Sequence, residues 1–487
     1  MQPQAHSYGV AVIGPGLEPQ TPSGASARQH AIILEDDQVT SSHSNSPLSP
    51  EGPKHPSRLI NRTLMVFLVA MISANIASQM GQPLMSLYVQ SLGANVQQVG
   101  LLFTITSIVP LAFQILGGFV SDSIGRLQAI AIGSLAGIAG YALYIVAPTW
   151  QWLILAQGVS SLAGCFVAPS FRAFVAEQSS EEMRARTFAL SESIYMITGV
   201  VGPPIGGIVS ENYGYRAMFA TAAALYGAAT VIRIAMARSA RNRVQTAADK
   251  MTFEKLKRSI GSMISLVFAG GILTWLFISD GVFDVAYSIS YRFEPLYLGN
   301  VIGLGNTQIA TLSSFFSGAM MLLLPVGGWF ADRFGERAGL VLGHGTHAVA
   351  LVLMLLGKAY PHFIVVWILY GVGASLLSPA YNSLISKVVP LKMRGTAFGL
   401  FSTSLGLISL PAPYVGGLLW NAVSPRAPFV VPLIASAVMT PLLWMKLKPE
   451  TESAGGRSLD SQAGEERPGL ADDGAEEESS LGPDEVV

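Results

Sequence analysis

Between Arg58 and Lys448 long apolar stretches alternate with short polar connections, and each stretch has the roughly 20 residues needed to cross about 30 Å of hydrocarbon. The pattern predicts twelve spans, at 62–88, 97–121, 126–147, 150–175, 186–210, 215–237, 263–297, 308–331, 337–357, 361–387, 394–420 and 426–447. Spans three and four are separated only by a short turn at Pro148. Apolar residues run continuously through each stretch instead of alternating, and lipid offers an open backbone no hydrogen-bond partner. The expected elements are therefore helices and the fold class is all-α integral membrane.

Composition agrees: 51% of the 487 residues are hydrophobic and 12% charged, against about 25% charged in an ordinary soluble domain, which argues against a soluble enzyme. A lone cysteine, Cys165, excludes an internal disulfide and a cysteine-based zinc site. The net charge of −1 hides an asymmetry, because from Pro449 onward there are 12 acidic residues against Arg457 and Arg467. This acidic tail, 449–487, and the Ser-, Pro- and Gln-rich stretch 1–57 bury too little apolar surface to offset ordering entropy, so both are expected to be disordered. The first stretch lacks a basic region followed by a clean apolar run, so no cleavable signal peptide is expected.

Basic residues resist translocation, and here they sort cleanly. Both flanks and every second loop collect 21 of them, whereas the opposite loops hold only Arg216, Lys358 and Arg426. Both termini are therefore expected on the cytoplasmic side. The longest internal connection, 238–262, is polar and basic and divides one six-helix half, 58–237, from another, 263–448. Within it Thr252 to Ser259 reads either as an amphipathic helix on the inner surface or as a solvated loop.

The halves match at a constant separation of 210 residues. Gly117, Gly118, Asp122 and Gly125 correspond to Gly327, Gly328, Asp332 and Gly335, and Pro169 to Pro379. Pro203, Gly206 and Gly207 then meet Pro413, Gly416 and Gly417, while Arg216 and Phe219 meet Arg426 and Phe429. Matches concentrated at residues that shape helix ends and contacts predict two pseudo-symmetric halves with a solute path between them.

Two of the repeated segments carry motifs. The first reads Gly118-Phe-Val-Ser-Asp122-Ser-Ile-Gly125-Arg126, and its partner Gly328-Trp-Phe-Ala-Asp332-Arg333-Phe-Gly335-Glu-Arg337. Both resemble the loop signature of the major facilitator superfamily (MFS), Gly-x-Leu-x-Asp-Arg-x-Gly-Arg-Arg; Ser123 and Leu127 stand where the pattern has basic residues. Gly202-Pro203-Pro204-Ile205-Gly206-Gly207 is similar to the Gly-Pro-x-x-Gly-Gly element of the superfamily's drug-efflux antiporter branch, with Pro413, Gly416 and Gly417 in the second half. Prolines free carbonyls and bend helices, and small residues four apart allow close crossing. Ile154 occupies the place of that branch's span-four arginine, so a proton relay through that arginine does not carry over. The resemblance implies the MFS fold and alternating access, with the loops of Asp122 and Asp332 gating one side and spans one, four, seven and ten lining the cavity.

Charge inside a span costs about 2.5–3.5 kcal/mol, which makes intramembrane acids functional candidates. Asp280 and Asp284 are one helical turn apart in span seven, Tyr287 and Tyr291 continue their face, and Arg292 and Glu294 follow. Proton or solute handling by this face, structural pairing of Arg292 with Asp284 or Glu294, and exposure at the outer mouth are the three readings. Glu192 shares a stripe of span five with Tyr195, Gly199, Gly202 and Gly206, with Arg184 or Arg172 as an alternative ion-pair partner. Asn75, Gln79 and Gln82 form a polar side of span one, and the cavity assignment adds Tyr370, Tyr381 and Asn382. His344 and His347, in span nine, are expected to hydrogen-bond between helices, because two histidines alone make a poor metal site.

No phosphate-binding Gly-x-x-x-x-Gly-Lys-Ser/Thr loop occurs, and no hydrolase or kinase signature. Neither cofactor nor metal is called for, and nothing suggests nucleic-acid binding. The sequence reads as a secondary transporter, not an enzyme, of the plasma membrane or a bacterial inner membrane, acting as a monomer. Export of drug-like or amphipathic compounds coupled to protons is the leading reading. Uptake or facilitated diffusion of a polar metabolite, and a non-transporting receptor of the same fold, are the alternatives.

Overall fold

In the computed structural model, residues 62–179, 184–239, 271–388 and 406–447 are described. The expected tails and nearly all of the 238–262 linker, including 252–259, lie outside the described residues, as do the surroundings of Gly118 and the side chain of Asp122.

The described residues form helices throughout, labelled here by span. In the first half α1 is Arg62–Gly81, continued through Gln82–Leu84 to Met85–Ser91; α2 is Val96–Ile124, α3 Arg126–Val146 and α4 Trp152–Gln178. Arg184–Ser239 is one helical run broken at Gly214, where φ is +84°, giving limbs α5 (184–213) and α6 (215–239). In the second half α7 is Gly271–Ser290, α8 Asn306–Phe334, α9 Glu336–Leu356, α10 Tyr360–Val388, α11 Ala412–Ala422 and α12 Ala427–Lys446. Nine helical stretches among the described residues are long and apolar enough to cross a bilayer. One of these contains both α5 and α6; with α7 and α11, parts of whose expected spans lie outside the described residues, the twelve expected spans are accounted for. Beyond α7 the chain departs from the expected plain helix end at 297, running through a 3-10 turn, Tyr291–Phe293, and a π-helix, Tyr297–Ile302.

The helix ends reproduce the sequence repeat. Gly93 and Gly303 end the first and seventh spans with φ of +92° and +83°. Gly125 and Gly335, at +101° and +86°, separate α2 from α3 and α8 from α9, a conformation that a residue with a Cβ adopts at a cost. Core contacts repeat as well: the Tyr88 ring lies 5.0 Å from Phe219, and the Tyr297 ring 5.2 Å from Phe429.

Charged residues at the described helix ends sort into a basic end, carrying Arg126, Arg238, Arg333, Arg337, Lys387 and Lys446, and an opposite end with Arg216, Lys358 and Arg426. Arg233, counted among the 21 basic residues of the flanks and loops although it falls within the expected span 215–237, sits inside α6 and is 1% exposed. It donates to Ser134 Oγ at 2.9 Å and lies 5.6 Å from the Tyr226 ring centroid.

Candidate solute path between the halves

The Gly-Pro elements set how closely helices approach. A Cβ built on Gly206 of α5 would strike the Met80 carbonyl of α1, and one on Gly416 of α11 would strike the Ile289 carbonyl of α7. At Gly202 a Cβ would come 2.6 Å from Gln79 Cβ, and at Gly199 2.7 Å from Ser317 Oγ of α8. Gly207 and Gly417 serve the contact between halves. Their Cβ atoms would meet Thr307 Cα at 2.7 Å and Gln97 Cα at 2.8 Å, and these two targets are themselves 210 residues apart. Beside this seam a cavity of about 30 Å³, room for one water, is lined by Gln79, Gln82, Pro203, Ser313, Phe316 and Ser317, a mixture of polar and apolar groups. Gln79 and Gln82 thus fall together, while Asn75 is half-buried one turn before Gln79 on α1.

Hydrogen bonds between the halves gather at the end opposite the basic residues. Asn300 Nδ2 donates to Gln90 Oε1 at 2.9 Å, joining two positions 210 residues apart and so straddling the pseudo-two-fold axis. Ser86 Oγ donates to the Arg292 carbonyl at 2.6 Å, Tyr215 Oη to Asn306 at 3.0 Å and Gln97 Nε2 to Tyr414 Oη at 3.1 Å. The Thr307 N–H donates to Glu211 at 2.9 Å. Among the described residues Arg292 forms no ion pair with Asp284 or Glu294. Its guanidinium lies 4.4 Å from the ring centroids of both Phe103, on α2 of the other half, and Tyr291, and Arg292 Nε has no hydrogen-bond partner among the described residues.

The acids of α7 face partners from several helices. Ser409 Oγ donates to Asp284, and the Tyr381 hydroxyl of α10 lies against Asp280. Tyr287 and Tyr291 stack with centroids 6.3 Å apart. The histidines of α9 join this group. His344 stacks on Phe283 at 3.4 Å and its Nε2 is 3.3 Å from Tyr381 Oη. His347 bonds the Gly343 carbonyl at 3.1 Å and packs on Tyr370 and Tyr287. Tyr370, expected on the cavity wall, is fully buried among Trp367, His347 and Met354, because its ring points into the second half's own core. Asn382 and Tyr381 are half-buried on α10. Glu192 of α5 is half-buried, with Arg172 of α4 as a charged neighbour; the side chain of Arg184 lies outside the described residues.

At the basic end the motif residues divide their work differently from the expectation. Gly328 has nothing within 4 Å of a built Cβ; the close approach falls to Gly327, packed on the Ser375 carbonyl of α10. Asp332 is exposed and forms no ion pair among the described residues, since its side chain points to the outside of the last turn. Pairing passes to the next helix start. Arg126 meets Glu177 at 3.0 Å, and Glu336 meets Lys387 at 2.6 Å and accepts from Ser383 Oγ at 2.6 Å. Arg333 lies over Trp329 and Phe334, and Arg337 over Trp444, whose carbonyl it also bonds.

Comparison with known proteins agrees with this architecture. Residues 64–305 and 276–471 match the family described as Major Facilitator Superfamily. The quinolone resistance protein NorA of Staphylococcus aureus is 22% identical over 346 residues, 70% of this chain and 85% of NorA. An uncharacterized MFS-type transporter of Methanocaldococcus jannaschii is 23% identical over 334 residues, 67% of this chain and 82% of that protein. Among solved structures, a variant of the peptide transporter POT in complex with alafosfalin superposes with a TM-score of 0.65 at 15% identity, covering 81% of this chain and 96% of that one. The human organic anion transporter MFSD10 (TETRAN) gives 0.56 at 15% identity, covering 78% and 99%. Family match, repeated helix ends and helical fold together make this chain a member of the major facilitator superfamily, a multi-pass membrane transporter and not an enzyme.

Proposed function

We propose that the protein exports amphipathic, drug-like cations across the membrane in exchange for protons. The observation that carries this reading is the α7 face, where Asp280 and Asp284 sit beside stacked Tyr287 and Tyr291. Carboxylates attract a cation and can instead take a proton, and aromatic faces bind organic cations through their negative π surface. Glu192, across the path on α5, is the second acid of the exchange. Kinship with a protein named for quinolone resistance supports an exporter. With the basic end cytoplasmic, the hydrogen bonds between halves close the outer side, and transport requires them to break as the six-helix units rock about the α7 region.

The test is flux in sealed proteoliposomes of purified protein, loaded with cationic amphiphiles, sugars and amino acids, with and without a pH gradient. Gradient-driven movement of the cations, abolished in Asp280→Asn or Glu192→Gln, is the expected result. Movement indifferent to the gradient makes the protein a facilitator instead, and binding without movement makes it a receptor.

A further inference from the structure

Beside Asp280 lies a chain of polar groups leading away from the cavity wall: the Tyr381 hydroxyl, then His344 Nε2 at 3.3 Å from it, held in plane by stacking on Phe283. The fold supplies its own control for whether such a chain is a packing requirement. The positions 210 residues earlier are Ala70 for Asp280, Phe171 for Tyr381 and Ser134 for His344. The first half packs the same positions with no carboxylate, hydroxyl-bearing ring or imidazole among them, so helix packing does not demand this chain. Buried polar groups are costly unless satisfied, and Tyr381 must be satisfied in both charge states of its neighbour.

We propose that His344 is a positioning residue for proton exchange at Asp280, acting through the Tyr381 hydroxyl; this rests on the proton-coupled reading above. With Asp280 ionised, His344 Nε2–H donates to the Tyr381 oxygen and the Tyr381 O–H donates to the carboxylate. With Asp280 protonated the chain reverses: its O–H donates to the Tyr381 oxygen, and the Tyr381 O–H donates to a bare Nε2. The reversal balances when a proton binds His344 Nδ1, the Nε2 proton passes to the Tyr381 oxygen and the Tyr381 proton passes to Asp280. Both intervening groups end neutral. The other titratable groups gathered around His344 are Asp284 and Tyr287 on α7, His347 on α9 and Tyr370 on α10, while Glu336 and Arg337 of α9 and Lys387 of α10 lie at the basic end and Tyr360 and His362 at the opposite end of α10. Two neighbouring helices keep theirs at the basic end: α12 has Lys446, engaged 5.1 Å from the Trp275 ring, and α8 has exposed Asp332 and Arg333.

The experiment is the pH dependence of gradient-driven tetraphenylphosphonium flux in proteoliposomes of the full chain, with binding of the same cation measured in parallel. His344→Leu and Tyr381→Phe are each expected to move the midpoint by about one pH unit, the worth of one hydrogen bond to a charged group. The double variant should move it no further, because both changes break one chain. His344→Gln, whose amide both donates and accepts, should bring the midpoint back toward the wild type, and His362→Leu, at the exposed far end of α10, should leave it in place. A wild-type midpoint in His344→Leu, or additive shifts in the double variant, overturns the inference. Where His344→Leu does not fold, an unshifted Tyr381→Phe overturns it equally. Wild-type flux blind to the gradient removes the proton-coupled reading as well, whereas coupled flux with an unshifted His344→Leu removes this inference alone.

Discussion

At Gly206 of α5 and Gly416 of α11, single hydrogen atoms decide how near two helices lie, for a Cβ there would occupy the place of a neighbour's carbonyl oxygen. Alanine at Gly206 must push α1 and α5 apart, and overpacking of this kind costs about 1–3 kcal/mol. Purified Gly206→Ala should melt several degrees below the wild type. Gly345→Ala, with nothing within 4 Å, should melt at the wild-type temperature or slightly above, since alanine favours helix. Equal melting of the two variants would refute the packing role. The sequence marked these close approaches because small residues recur there at spacing four and at the 210-residue offset. It could not say which of Gly327 and Gly328 makes contact, as that depends on the rotation of α8 about its axis. Tyr370 misled for the same reason: one helical register turns a ring from the cavity into the core.

Among elements, the two basic-end ion pairs are the most informative comparison. Arg126–Glu177 and Glu336–Lys387 occupy equivalent positions, 210 residues apart at both members, with the signs exchanged. What each half requires is therefore a bond from the start of its third helix to the end of its fourth, not a charge of given sign at either place. Side-chain exposures of 28% and 48% for the first pair, and 54% and 15% for the second, keep each bond weak, on the order of 1 kcal/mol or less. Arg126→Glu alone sets two carboxylates together and should lower the melting temperature. Adding Glu177→Lys, which gives the first half the second half's polarity, should recover most of the loss. A double variant no more stable than the single one would show that the pair is incidental. Such pairing was hidden in the sequence, where attention falls on the motif aspartates, because it joins helices 51 residues apart. The number and type of helices was legible, since membrane burial imposes length and continuous apolarity. The π-helix at 297–302 was not, since nothing in composition distinguishes it from ordinary helix.

At the scale of the molecule, the bond from the Thr307 N–H to Glu211 reads as a cap supplied by the wrong half. In the first half α2 caps itself: Asn95 accepts from the Gln98 N–H at 2.9 Å, and Gln98 reaches back to the Asn95 N–H at 2.9 Å. In the second half Gln308 still reaches back to Gly305, at 3.2 Å, but glycine has no oxygen to offer the exposed N–H groups. Glu211 of the first half fills that vacancy, its oxygen standing 2.6 Å from where a Gly305 Cβ would be. The missing cap thus becomes a bond between halves, one that a helix N-terminus favours through both hydrogen bonding and dipole. Glu211→Gln should weaken closure of that end, and so should acidification well below the usual carboxylate range, because the Thr307 hydroxyl and N–H hold the Glu211 carboxyl below that range. Gly305→Asn gives α8 its own cap, displaces Glu211, and should weaken closure while leaving α8 at least as stable. A single cysteine placed at Gln90 in a Cys165→Ser background reports the state of that end through its rate of labelling by a membrane-impermeant thiol reagent. Both variants should label faster than the parent, and each should speed the step that opens this end during transport. Labelling unchanged in Gly305→Asn would mean that the bond to Glu211 caps a helix without holding the halves together.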